Sequence, residues 1–194
     1  MVKVFLHNHP QNVLQEELEQ DLLLLPQWRL TEVLKYRQMI DRVLATKAYL
    51  LLCKGLRELY GITENPVFRY LAHGKPVLRD YPNIHFNLSH CHKGVLCVLS
   101  DRPVGCDIEE IPSCIDFDLC SYCFSEDENK IIHSDETPTI AFTKRWTQKE
   151  ALLKLTGDGL NDNLKTVLST EMSRNVEFST VVQSEHGFIY TICQ

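Results

Sequence analysis

The chain reads as an α+β fold, and three observations predict it. Each half carries one long amphipathic helix pattern, near residues 41–60 and 139–156. Each half also carries a few short strand patterns around that helix. The bulk properties agree: 194 residues, 44% hydrophobic and 24% charged, are ordinary for a soluble globular chain with ample apolar material for a core. That length allows one large domain or two small lobes.

The first strand is Met1-Val2-Lys3-Val4-Phe5-Leu6, ended by the polar run from His7 to Gln11. That run leaves no hydrophobic core for a signal peptide, and Leu22 to Leu25 is too short to span a bilayer. A helical region follows. Its clearest helix has Asp41 as the expected N-cap and Leu44, Ala48, Leu51, Leu52, Leu56 and Leu59 as its stripe, with Gly61 ending it. Ile84, Phe86 and Leu88 alternate with polar residues as a half-buried strand, and Gly94 to Leu99 forms an apolar one.

The second half opens with a strand over Val104-Gly105-Cys106-Asp107-Ile108-Glu109, after a turn at Ser100-Asp101-Arg102-Pro103. A loop rich in Cys and Phe leads to the helix near 139–156, and strands near 176–183 and 187–193 close the chain. Eight cysteines without a secretory segment point to reduced thiols in a cytosol. Cys53, Cys97 and Cys193 sit in apolar runs and read as core. Cys120-Ser121-Tyr122-Cys123 lacks the second ligand pair of a structural zinc site, and His133 is badly spaced as a third ligand. The net charge of −6 argues against a general nucleic-acid binder.

Two places put charge where chemistry uses it. In an extended chain Asp107 and Glu109 project to one face, with Cys106 and Ile108 on the other. Two such carboxylates repel by about 4 kcal/mol at ~4 Å with an effective dielectric of ~20. A hard divalent cation such as Mg²⁺ relieves that repulsion. On the later helix, Phe142, Trp146 and Leu153 form an apolar stripe, and Glu150 falls on it. Lys154 lies four residues beyond Glu150. A charge on an inward face needs a partner or a metal.

With Gly105-Cys106-Asp107-Ile108-Glu109 and Trp146-Thr147-Gln148-Lys149-Glu150-Ala151…Lys154 go three further pieces in order. They are Gly74-Lys75-Pro76, Phe86-Asn87-Leu88-Ser89-His90 and Gly157-Asp158-Gly159-Leu160. Together, from about residue 40 to residue 160, they resemble the 4′-phosphopantetheinyl transferases, most closely the surfactin-synthetase type. Cys106, where that family usually has Ile or Val, and Thr147, where Ser or Cys is commoner, are mild departures that bear neither metal nor base.

The resemblance implies two similar α/β lobes related by a pseudo-twofold, with the active site between them. The N-terminal lobe, 1–102, would take the adenylate side of coenzyme A, and the C-terminal lobe, 103–194, the metal and the catalytic helix. It implies transfer of the 4′-phosphopantetheine arm of coenzyme A to a serine of an apo-acyl or peptidyl carrier protein, releasing adenosine 3′,5′-bisphosphate. Asp107, Glu109 and Glu150 would hold Mg²⁺. Glu150 would serve as the base, and Lys154 would stabilise charge on the diphosphate. Arg42, Lys75, Pro76, Ser89, His90 and Lys149 complete the coenzyme A set with Lys154.

The expected setting is a cytoplasmic monomer without nucleic acid or membrane. The carrier should dock on Pro112 to Phe124, through Phe117, Leu119, Tyr122 and Phe124, with Lys144, Arg145 or Lys149 adding charge. The metal triad by itself also suits another Mg²⁺-dependent phosphate-transfer or hydrolytic enzyme. A non-catalytic carrier-binding module is the reading that intact Asp107, Glu109, Glu150 and Lys154 speak against.

Overall fold

The computed structural model describes residues 1–159 and 164–194, without the side chain of Phe117. Leu160, the last residue of the Gly157-Asp158-Gly159-Leu160 turn, therefore lies outside the described residues, as does the Phe117 side chain expected in docking. The fold is mixed α and β, with antiparallel sheets and helices laid against them.

The first strand, β1 (Val2–Asn8), outruns its apolar stretch. It pairs along its length with the buried strand β5 (Gly94–Ser100), Val2 opposite Ser100 and Asn8 opposite Gly94. Ladder hydrogen bonds carry the polar residues His7 and Asn8 along. β4 (His85–Cys91) takes the other side of β5, giving a three-stranded sheet in the order β1-β5-β4. A small ribbon of β2 (Phe68–Tyr70) and β3 (Pro76–Leu78) lies beside it.

Two short helices, α1 (Gln15–Leu22) and α2 (Gln27–Val33), precede α3 (Met39–Tyr60). Gln38, not Asp41, is the N-cap of α3, and no side chain caps it. Asp41 sits inside the first turn, where its charge meets the positive end of the helix dipole without bonding it. Gly61 ends the helix in the left-handed conformation, φ 69°, which glycine adopts without a Cβ clash. Leu52 and Leu56 pack on Cys97 and Leu99 of β5 as the first core. Each such buried side chain contributes roughly 1.5–3 kcal/mol.

The second sheet joins β6 (Gly105–Glu110), β8 (Phe188–Cys193) and β7 (Phe178–Gln183) in the order β6-β8-β7, again antiparallel. The expected Cys- and Phe-rich loop instead forms α4 (Phe117–Cys123) and α5 (Glu126–Ser134). Local caps explain both. Asp116 accepts from the amides of Asp118 and Leu119, and Ser125 with Glu128 makes a reciprocal capping box. The Ser125-x-x-Glu128 spacing was a readable signal for α5.

The helix pattern that carries Glu150 and Lys154 becomes α6 (Pro138–Thr156), followed by the single turn α7 (Glu171–Arg174). α6 buries far more than one stripe: Thr143, Thr147, Lys149, Ala151, Leu152 and Leu153 are all buried. It is covered by β6 and β8 and also by α5 and the turn at Leu164–Ser169. Cys97, Cys106 and Cys193 are fully buried, Cys120 and Cys123 lie in α4 against Phe124, and Cys53 is half-buried. Among the described residues no helix is long and apolar enough to cross a membrane.

Candidate active site

The two sheets meet along β4 and β6, and side chains make the seam. Asn87 and Ser89 lie on one face of β4, two residues apart. Asn87 Oδ1 accepts from the Cys106 amide at 3.1 Å, and Ser89 Oγ accepts from the Ile108 amide at 3.3 Å. These bonds satisfy backbone donors of β6 as a neighbouring strand would. On its other flank β6 comes unusually close to α6. A Cβ on Gly105 would stand 2.0 Å from the Ala151 carbonyl oxygen and 2.5 Å from the Leu155 amide nitrogen. Only glycine permits that approach.

The approach sets Asp107 against the last turns of α6. Lys154 Nζ donates to Asp107 Oδ1 at 2.6 Å and to Ser89 Oγ at 2.8 Å, and the Ser89 hydroxyl donates to Asp107 Oδ1 at 2.8 Å. Burial alone would weaken the charge of Lys154, but the Asp107 carboxylate outweighs it and raises the pKa above the ordinary lysine value. Asp107 is almost fully buried, and its second oxygen accepts no bond.

Two more carboxylates share this corner. Glu109 accepts from the Trp146 indole at 3.3 Å. Burial first and the Asp107 charge second push its pKa up to about 7. Glu150 is also raised, by burial and then by Asp107, and its Oε1 is buried without a partner. Glu109 and Glu150, each raised in part by the Asp107 charge, are crowded against it as like charges. Among the described residues, no group of three or more His, Cys, Asp and Glu is gathered tightly enough to hold a metal ion as it stands. The donor chemistry still suits a hard divalent cation: the set is all carboxylate, and two buried oxygens are unsatisfied.

Beside this corner opens a cavity of about 310 Å³, and four of the five sequence motifs meet in its walls. Gly74, Lys75 and Pro76 come from the ribbon, and Phe86, Asn87 and Leu88 from β4. Glu150 and Lys154 come from α6, and Gly157 and Gly159 from the turn after it. Lys75 crosses to α6, where its Nζ donates to the Leu155 carbonyl at 2.8 Å, a cation on the negative end of the helix. Burial lowers its pKa. Gly157 serves this contact twice. Its φ of 80° is left-handed, and a Cβ there would press on Lys75 Cδ at 3.3 Å.

The other expected residues lie elsewhere. His90 is exposed at the end of the Phe86–His90 motif and outside the cavity wall. Desolvation and then Lys154 lower its pKa. Arg42 stays on the first turn of α3, where its Nε donates to the Tyr36 carbonyl at 2.9 Å. Lys149 is fully buried away from the cavity. Its ammonium donates to Glu128 at 2.8 Å and to the Leu164 carbonyl at 2.6 Å, and lies 5.1 Å from the Phe124 ring centre. Those bonds commit the Lys149 charge to tying α5 and the 164 turn onto α6.

Sequence reasoning passed over Asn87 and the Trp146–Glu109 bond. It also missed a row of hydroxyls beneath α6. Thr191 lies opposite Asp107 on one side and Thr180 on the other. Thr191 Oγ1 is 2.8 Å from Thr147 Oγ1 and 2.9 Å from Thr180 Oγ1. Asn87 had a signal, a polar residue inside a half-buried strand; the hydroxyl row needed the strand register.

Comparison with known proteins defines the class. Residues 103–190, which carry Asp107, Glu109 and all of α6, match the family model described as the 4′-phosphopantetheinyl transferase superfamily. The chain is 36% identical over 135 residues to the 4′-phosphopantetheinyl transferase psf-1 of Bacillus pumilus, covering 68% of this chain and 58% of that one. It is 35% identical over 129 residues to gsp of Aneurinibacillus migulanus, covering 65% and 53%. To Sfp of Bacillus subtilis it is 29% identical over 125 residues, covering 63% and 55%. The resemblance to the surfactin-synthetase type thus holds across both halves, over somewhat more than half the length of these relatives.

Proposed function

We propose that this chain transfers the 4′-phosphopantetheine arm of coenzyme A to a serine hydroxyl of an apo-carrier protein, releasing adenosine 3′,5′-bisphosphate. The observation that carries this reading is the single cavity in which Lys75, Pro76, Glu150 and Lys154 meet beside the crowded acids. The named activity of the relatives supports it.

The cavity is large enough for part of a nucleotide-sized ligand. Lys75 and Lys154 offer cations to the diphosphate from opposite motifs, and Pro76 offers an apolar surface to a base. His90 and Arg42, outside the wall, are the candidates for the 3′-phosphate. Asp107, Glu109 and Glu150 would hold a Mg²⁺ ion, which when bound would neutralise charge on the transferring phosphate. Glu150, held less acidic than usual by burial and Asp107, is suited to take the serine proton. Lys154, kept protonated by Asp107, is suited to stabilise the leaving diphosphate oxygen. Ser89 acts in this reading through its bonds to Asp107 and Lys154.

The two β-α-β-β units, 1–102 and 103–194, form two lobes in a pseudo-twofold arrangement, and the enzyme works as a cytoplasmic monomer. The carrier docks on α4, where Leu119 and Tyr122 are 43% and 64% exposed while Phe124 closes the core. Fluorescent coenzyme A incubated with a panel of apo-acyl and apo-peptidyl carriers tests the proposal. The expected result is label on the carrier serine with Mg²⁺ and none after chelation. A folded chain that labels no carrier overturns it.

A further inference from the structure

Asn87 has a role at the seam and an unused half. A backbone amide can only donate, so the Asn87 atom facing the Cys106 amide at 3.1 Å must be the carbonyl oxygen. The Cys106 thiol lies on the same oxygen at 3.5 Å. This fixes the side-chain orientation and leaves the amide nitrogen, Nδ2, with two donors. Among the described residues, no protein group accepts from it. Nor is Nδ2 sealed off, since it is absent from the buried polar atoms that lack a partner. Asn87 is only 8% exposed, and it lines the cavity beside Lys75, Lys154 and Glu150.

A nearly buried donor in a wall that holds two lysines suits an anionic oxygen. We infer that Asn87 is a ligand contact as well as a seam clamp, its Nδ2 donating to a phosphate oxygen of the coenzyme A diphosphate. This rests on the coenzyme A reading of the cavity and adds a recognition residue to it. The two halves of one side chain then couple ligand binding to the joint between the sheets.

Asn87→Asp separates the halves. It keeps an oxygen for the Cys106 amide, removes the donor nitrogen and sets a carboxylate where the anion would sit. Asn87→Ala removes both. Binding of coenzyme A, inorganic pyrophosphate and pantetheine is measured by calorimetry on the full chain, with thermal melts alongside. Asn87→Asp should melt near the parent and bind coenzyme A and pyrophosphate roughly ten- to a hundredfold more weakly, as for one lost charge-assisted bond. Its pantetheine binding should be unchanged, and Asn87→Ala should melt lower. Parent-like binding of coenzyme A and pyrophosphate by Asn87→Asp overturns the inference. So does an equal loss for pantetheine, or a melt as low as that of Asn87→Ala. A parent that binds neither coenzyme A nor pyrophosphate fails the functional reading itself, and this inference with it.

Discussion

The two halves of the chain repeat one chain order with different fillings. In the first, β1, α3, β4 and β5 form a sheet ordered β1-β5-β4; in the second, β6, α6, β7 and β8 form one ordered β6-β8-β7. Each is a β-α-β-β run with the last strand in the centre. Under α3 the contact is hydrocarbon: Val95, Cys97 and Leu99 are fully buried and meet Ala48, Leu52 and Leu56. Under α6 it is polar, with Thr147, Glu150 and Lys154 above Thr191 and Asp107. The first arrangement is cheap to bury and supplies stability. The second keeps charges out of water, which costs free energy and raises the pKa of Glu150, by burial first and then by Asp107. The close-approach glycine differs too, Gly55 lying on the helix in one half and Gly105 on the strand in the other.

The sharpest test of that contrast is an added methyl. A Cβ at Gly105 meets backbone at 2.0 Å, whereas one at Gly55 meets the Leu99 Cδ1 atom at 2.3 Å, the end of a side chain that can turn. Gly105→Ala should lose more than about 3 kcal/mol of stability, and Gly55→Ala about 1–3. Denaturant melts measure both. Equal losses would mean that α6 can slide off β6 and that the approach is not fixed.

Lys154→Ala comes next. Transition-state stabilisation should fall by roughly 2–4 kcal/mol, read mainly in kcat, as when one oxyanion donor is removed. A change confined to KM would make the lysine a ground-state binder.

The paired acids should then separate. Both Asp107→Ala and Glu150→Ala should abolish transfer. Asp107→Ala strands the half-buried Lys154 ammonium and should destabilise by about 1–3 kcal/mol. Glu150→Ala removes a carboxylate with an unsatisfied oxygen and should leave stability equal or higher. A melt in which Glu150→Ala is the less stable variant reverses this assignment, and near-parent turnover in either variant removes the acids from the chemistry.

The smallest effect belongs to the apolar half. Because Asp41 caps nothing, Asp41→Ala should cost no more than about 0.5 kcal/mol. A loss near the ~1 kcal/mol typical of an N-cap would restore the capping role.

The sequence by itself determined the long helices, most of the strands and the chemistry-bearing motifs. Those rest on local periodicity, on glycine at helix ends, and on residue types such as the Asp107 and Glu109 alternation. Gly61 and Gly157 stop α3 and α6 where their left-handed φ values require. Local reading could also have reached α5, whose capping box was written in Ser125 and Glu128. Only the tertiary structure decided which polar groups face which. Lys149 and Lys154 differ by five positions on one helix, yet one is buried against Glu128 and Phe124 and the other meets Asp107. A helix covered on two sides has two inward faces, and periodicity marks only the one lined with hydrocarbon. The seam at Asn87 and Ser89 lies further still from sequence. It depends on two sheet edges, eighteen or nineteen residues apart along the chain, being held side by side, and no local propensity encodes that distance.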